Sequence, residues 1–318
     1  MTTATIPTTA VSRKPLFTFL IIVSILSVLT YFLAFSGNGE NAQGGLALLQ
    51  FSPAVAAIVT KLIYQHNLRG LGWKWGKTRY QLISLVLPFF IGLVSFSLVW
   101  LLGFGGFSSG PFIAEAQAGI AKSFGLNIRS VIVLYFILVV LNSSVGLLLP
   151  AIFAFGEELG WRGFLVPELD KHVNFTKTGF ISGIIWTVYH YPLLIGMVAP
   201  QLGISVWPLL ISAMIGGVSL SIILAWLRLQ SGSVWTAVIF HAALNAHNQG
   251  FFQNMTAETS SLTNYISGEY GLMLALVTAV VAYFFWHKRD SLPQFQTQGD
   301  SQALEVEERE QPMVSGSV

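Results

Sequence analysis

The sequence predicts an all-α membrane protein that crosses the bilayer about eight times and keeps a polar site in an intramembrane cavity open to the cytoplasmic side. Three observations lead there. Of the 318 residues, 53% are hydrophobic and only 9% charged, with a mean hydropathy of +0.67, too apolar for a soluble domain of this size. Apolar runs recur at lengths near the roughly 20 residues that a helix needs to cross the hydrocarbon core. Lysine and arginine gather in alternate connecting segments, as membrane topology imposes.

In chain order, residues 1–14 are a polar, threonine-rich lead ending in Arg13-Lys14. The apolar run at 15–35 exceeds the about 7 to 15 residues of a secretory leader's core and reads as a retained anchor. Further spans are expected at 46–64, 81–104, 131–155, 178–198, 205–227, 234–247 and 271–286, the seventh being short. Between the third and fourth, 105–130 is a connecting loop with room for an interfacial helix at 112–124. From 290 to 318 the chain turns polar and acidic, with Glu305, Glu307, Glu308 and Glu310, and reads as a disordered tail. The organisation is therefore a lead (1–14), an amino-terminal membrane region (15–130), a region holding every candidate site residue (131–289) and the tail (290–318).

With the amino terminus in the cytoplasm, fourteen of the 16 lysines and arginines fall on the inner side and only Lys122 and Arg129 on the outer. Both termini are then cytoplasmic, as in a multi-pass protein of the bacterial plasma membrane. The net charge of +2 gives no reason to expect a nucleic-acid partner. The absence of cysteine excludes disulfides, thiolate metal sites and a cysteine nucleophile.

Three polar groups stand out against the apolar background. Glu157 and Glu158 end the fourth run, and Arg162 follows Glu158 by one helical turn, so that it can brace Glu158 and leave Glu157 free to act. His190 lies about 18 Å into the fifth span at 1.5 Å per residue, with Trp186 one turn before it. His241 and Asn245 share one face of the seventh. Either histidine alone reads equally well as an interhelical hydrogen-bonding residue. Three such groups on three spans read as a site. Glu158, Arg162 and Trp186 are read as supporting residues, Trp186 by packing rather than chemistry, because an indole has one donor and no acid or base role.

Glu-Glu-x-x-x-Arg at 157–162, aromatic-x-x-x-His at 186–190 and His-x-x-x-Asn at 241–245, in this order on successive spans, resemble the CPBP (CAAX protease and bacteriocin-processing) intramembrane endopeptidases, and are similar to the type II CAAX prenyl endopeptidases. The resemblance covers about 131–248 and departs from the family at Trp186, where a phenylalanine is common. It implies peptide hydrolysis by a glutamate-activated water. Chemistry read from the residues agrees, with Glu157 as base, His190 sharing the water, and His241 and Asn245 donating to the oxyanion. Glu157, His190 and His241 are also a possible zinc ligand set, which keeps a metalloprotease open; no cofactor is favoured. The expected partners are a membrane-associated or lipidated peptide or protein and the bilayer, with oligomeric state open. A proton-coupled transporter and a non-catalytic immunity or scaffold protein are the alternatives.

Overall fold

The computed structural model describes residues 12–37, 39–107 and 110–293. Most of the expected lead, 1–11, and most of the expected acidic tail, 294–318, lie outside the described residues. Helices α1 (Lys14–Ser36), α2 (Glu40–Gln65) and α3 (Thr78–Leu101) come first, then a short strand β1 (Gly106–Phe107), α4 (Gly110–Phe124) and α5 (Val131–Asn142). The central part holds α6 (Leu148–Glu158), a π-helical segment Leu159–Leu165, α7 (Val166–Asp170), α8 (Phe175–Leu193), a second π segment Leu194–Val198 and α9 (Ala199–Leu202). Then follow α10 (Val206–Ser231), α11 (Trp235–His247), a π turn Asn248–Phe252, α12 (Gln253–Met255), strand β2 (Thr256–Ala257), α13 (Thr263–Ile266) and α14 (Leu272–His287). β1 and β2 pair antiparallel, Gly106 opposite Ala257, a small departure from an all-helical chain.

Five helical segments are long and apolar enough to cross a membrane, namely Lys14–Ser36, Glu40–Gln65, Thr78–Leu101, Phe175–Leu202 and Val206–Ser231. A sixth is added if Val131–Asn142 and Val145–Asp170 count as one bent span. The chain is therefore an all-α, multi-pass membrane protein. Its outward faces suit lipid, with Val28, Phe32, Phe136 and Trp207 exposed. The fourth span, expected as one helix over 131–155, instead bends by 47°. The cause is the polar step Asn142-Ser143-Ser144: Asn142 Nδ2 donates to the Leu138 carbonyl at 2.9 Å and Ser144 Oγ to that of Val140 at 2.6 Å, closing the end of α5. The expected seventh and eighth spans are α11, with 13 residues, and α14, with 16, both below the usual spanning length. Helical backbone nonetheless continues from α11 through the π turn into α12.

Close backbone packing holds the first glutamate motif in place. Pro53, inside α2, lies directly on Gly160, where an added Cβ would come within 2.3 Å of the proline ring; at Gly156 the same addition would meet the Gln50 carbonyl oxygen at 2.7 Å. The spacing Gly156-x-x-x-Gly160 thus lets two helical segments touch, as small residues do between membrane helices. On the other flank, Phe19 of α1 meets Trp161 edge-on at 5.8 Å and Phe164 at 4.9 Å. The core formed there runs through Leu165, Val166, Ile223, Leu227 and Phe240, all fully buried. The amino-terminal helices are therefore structural walls of the site region.

Candidate active site

The site is built outward from two adjacent carboxylates that point to different partners. Glu158 is fully buried and receives Arg162 Nη1 on both oxygens, at 2.9 and 3.0 Å. It also receives His241 Nδ1 from α11 at 2.9 Å. Arg162 is itself fully buried, and its guanidinium lies over the Trp186 ring at 4.3 Å. A charge in this position is kept only with such partners, and here they tie three elements together. The backbone widens into its π segment immediately after Glu158, a geometry that recurs at functional sites.

Glu157 faces α8. Trp186 Nε1 donates to its Oε2 at 2.8 Å, so the indole does more than pack: its one donor is spent on the carboxylate of Glu157. His190, one turn further, sets its Nδ1 against the Trp186 carbonyl at 3.0 Å. A carbonyl can only accept, so Nδ1 carries the proton, and in the neutral ring the lone pair then lies on Nε2. That nitrogen stands 3.7 Å from Glu157 Oε2, too far for a direct hydrogen bond and a fit for a shared water.

His241 and Asn245 both line the cavity in front of this pair, together with Trp186 and His190. With Nδ1 held by Glu158, His241 turns its Nε2 edge to the cavity, and its ring meets Trp186 edge-on at 5.6 Å. The cavity of about 80 Å³ has room for a few waters. It extends along Ser212 and Gly216 of α10, Asn248 after α11, and Leu274 and Thr278 of α14. These positions lie at the helix ends remote from Arg228, Trp235 and Lys288, so this cavity runs away from the basic loops toward which it was expected to open.

The zinc reading of Glu157, His190 and His241 fits poorly. Among the described residues no group of three or more His, Cys, Asp or Glu side chains is gathered so as to hold a metal ion, Glu157, His190 and His241 included.

Residues 140–247 match the family described as type II CAAX prenyl endopeptidase Rce1-like. This stretch is similar to the type II CAAX prenyl endopeptidases. It runs from the end of α5 to the end of α11 and contains all seven candidate residues, on the stretch where the motifs suggested the resemblance. The CAAX prenyl protease 2 of Methanococcus maripaludis is 29% identical over 141 residues, covering 43% of this chain and 48% of that protein. The chain thus spans about half the length of the curated relative it matches.

Three further residues serve or adjoin the Rce1-like region without having stood out in the sequence. Arg228, counted as a loop charge, is buried and donates Nε to the Arg162 carbonyl at 2.9 Å and Nη2 to that of Gly70 at 3.0 Å. It clamps the π segment that carries Arg162. Asn248 and Glu269, just beyond the matched stretch, line the cavity. His247 is buried beside Phe89, with Nε2 3.3 Å from Ser143 Oγ, and does not line the cavity.

Proposed function

We propose that this protein is an intramembrane endopeptidase that hydrolyses a peptide bond in a membrane-associated or lipidated substrate, using a water activated by Glu157 and His190. The observation that carries the reading is the 3.7 Å gap between His190 Nε2 and Glu157 Oε2, opening on a cavity lined by His241 and Asn245. The similarity to CAAX prenyl endopeptidases supports the same class of reaction.

A water seated in front of the pair gives one hydrogen to Glu157 and one to His190, leaving an oxygen lone pair for the substrate carbonyl. As the carbon–oxygen bond forms, Glu157 takes the proton; the new oxyanion is met by the Asn245 amide and by His241, which in its doubly protonated form donates Nε2–H while Nδ1–H stays on Glu158. Glu157 then passes its proton to the departing amine as the peptide bond breaks. Trp186 fixes the carboxylate and Arg162 fixes Glu158. No step is assigned to a metal. Active purified protein is expected to contain sub-stoichiometric zinc by elemental analysis and to resist chelators; stoichiometric zinc whose removal ends activity would overturn that assignment.

Asn245→Ala is expected to lower the rate constant by about 10² to 10³ with little change in substrate affinity, since the amide acts on charge that develops only in the transition state. Stopped single-turnover assays beside binding measurements check this. For topology, the charge pattern favours eight crossings with both termini cytoplasmic, in a bacterial plasma membrane. Reporters fused after Arg289 and inserted in 65–79 are both expected to read cytoplasmic; an outer signal from either contradicts it. The substrate itself is to be captured with Glu157→Gln protein and read by mass spectrometry, a trapped membrane-anchored peptide being the expected result.

A further inference from the structure

The proposed reaction employs Glu157, His190, His241 and Asn245; the wall of the same cavity carries further polar groups that it leaves unemployed. Glu269 lies there, between α13 and α14, partly buried and held by Gln249 Nε2 on Oε2 at 2.8 Å. The charged groups that act on it are His190, His241 and Glu157, and no lysine or arginine is among them. Burial pushes its carboxyl above the usual carboxylate range, and the two histidines draw it back. Asn248, on the wall of the same cavity, is 1% exposed, and neither atom of its side-chain amide has a hydrogen-bond partner. A buried amide left with nothing to bind costs stability, which marks a place where a ligand completes the structure.

We infer that Glu269 and Asn248 form a substrate subsite on the wall of the same cavity, which takes a lysine or arginine side chain of the peptide on Glu269 and its backbone on Asn248. This rests on the cavity being the peptide site. A carboxylate with no lysine or arginine beside it and only the two histidines to offset its charge, in a wall that is otherwise largely apolar, gains from a further cationic partner, and charge-assisted bonds there are stronger than neutral ones. The same carboxylate disfavours an acidic group, so the subsite reads charge as well as size.

The test uses the full chain in lipid nanodiscs and acyl-anchored, amino-terminally acetylated fluorescent peptides that differ only in carrying Lys, Gln or Glu at one scanned position. Binding is measured by anisotropy on the Glu157→Gln background. At one or more positions the Lys peptide is expected to bind about 10-fold more tightly than the Gln peptide and the Glu peptide more weakly still. Adding Glu269→Gln is expected to erase the preference, Glu269→Asp to keep most of it and Glu269→Lys to reverse it. Equal affinity for Lys and Gln peptides at every position, or a preference that survives Glu269→Gln, would overturn the inference. A preference seen only with a free amino terminus would assign the subsite to that amine and overturn the side-chain assignment. Cleavage by wild-type protein is followed in parallel: peptides cleaved with no charge preference remove this subsite alone, while Glu269-dependent binding without cleavage of any peptide removes the protease reading alone.

Discussion

Glu157→Gln is expected to leave the protein folded and able to bind substrate while turnover falls by at least about 10² to 10⁴, the range for loss of a general base. The amide that replaces the carboxylate still accepts from Trp186 Nε1, which now bonds Oε2 at 2.8 Å, so shape and position survive. What is lost is the capacity to take the proton of a water shared with His190 across the 3.7 Å gap. The effect should therefore fall on the rate constant and spare binding. Turnover reduced only a few-fold, with binding unchanged, would move the base to His190.

Arg162→Ala is expected to cost about 3 to 5 kcal/mol of stability, the range for breaking a buried ion pair by removing one partner, and to abolish activity as well. Three losses coincide. Glu158 loses its two contacts from Nη1, Trp186 loses the guanidinium over its ring, and His241 is left bonded to a carboxylate without its counter-ion. Thermal unfolding in lipid or detergent measures the first effect, and unchanged stability would contradict the bracing role. Arg162→Lys keeps the charge without the planar fork and is expected to recover only part of it.

The residues of the candidate site were legible because helical spacing is local. Arg162 reaches Glu158 over four positions, and His241 and Asn245 share a face over four, relations that any helix imposes. The contacts that link these groups to one another were not legible. His241 on Glu158 joins residues 83 apart, Trp186 on Glu157 residues 29 apart and Arg228 on the Arg162 carbonyl residues 66 apart, and no periodicity reports such pairs. Arg228 counted in the sequence only as one positive charge among fourteen, for a related reason: the backbone carbonyls that it satisfies lie on distant segments. The bend in the fourth span did leave a trace, since Asn142-Ser143-Ser144 interrupts a run of otherwise apolar residues. The π segments left none; the first of them lies where Pro53 approaches Gly160, a tertiary contact that no local pattern reports.

The most direct test is the mass of the products formed from an acyl-anchored peptide, or from the trapped natural substrate, in water enriched in heavy oxygen. With wild-type protein the new carboxyl terminus is expected to carry one heavy oxygen atom, at a rate that Glu157→Gln lowers by at least about 10²-fold while the peptide remains bound. Bound peptide that wild-type protein leaves uncut, or cleavage that proceeds equally well without the Glu157 carboxylate, would contradict a water held between Glu157 and His190 as the nucleophile.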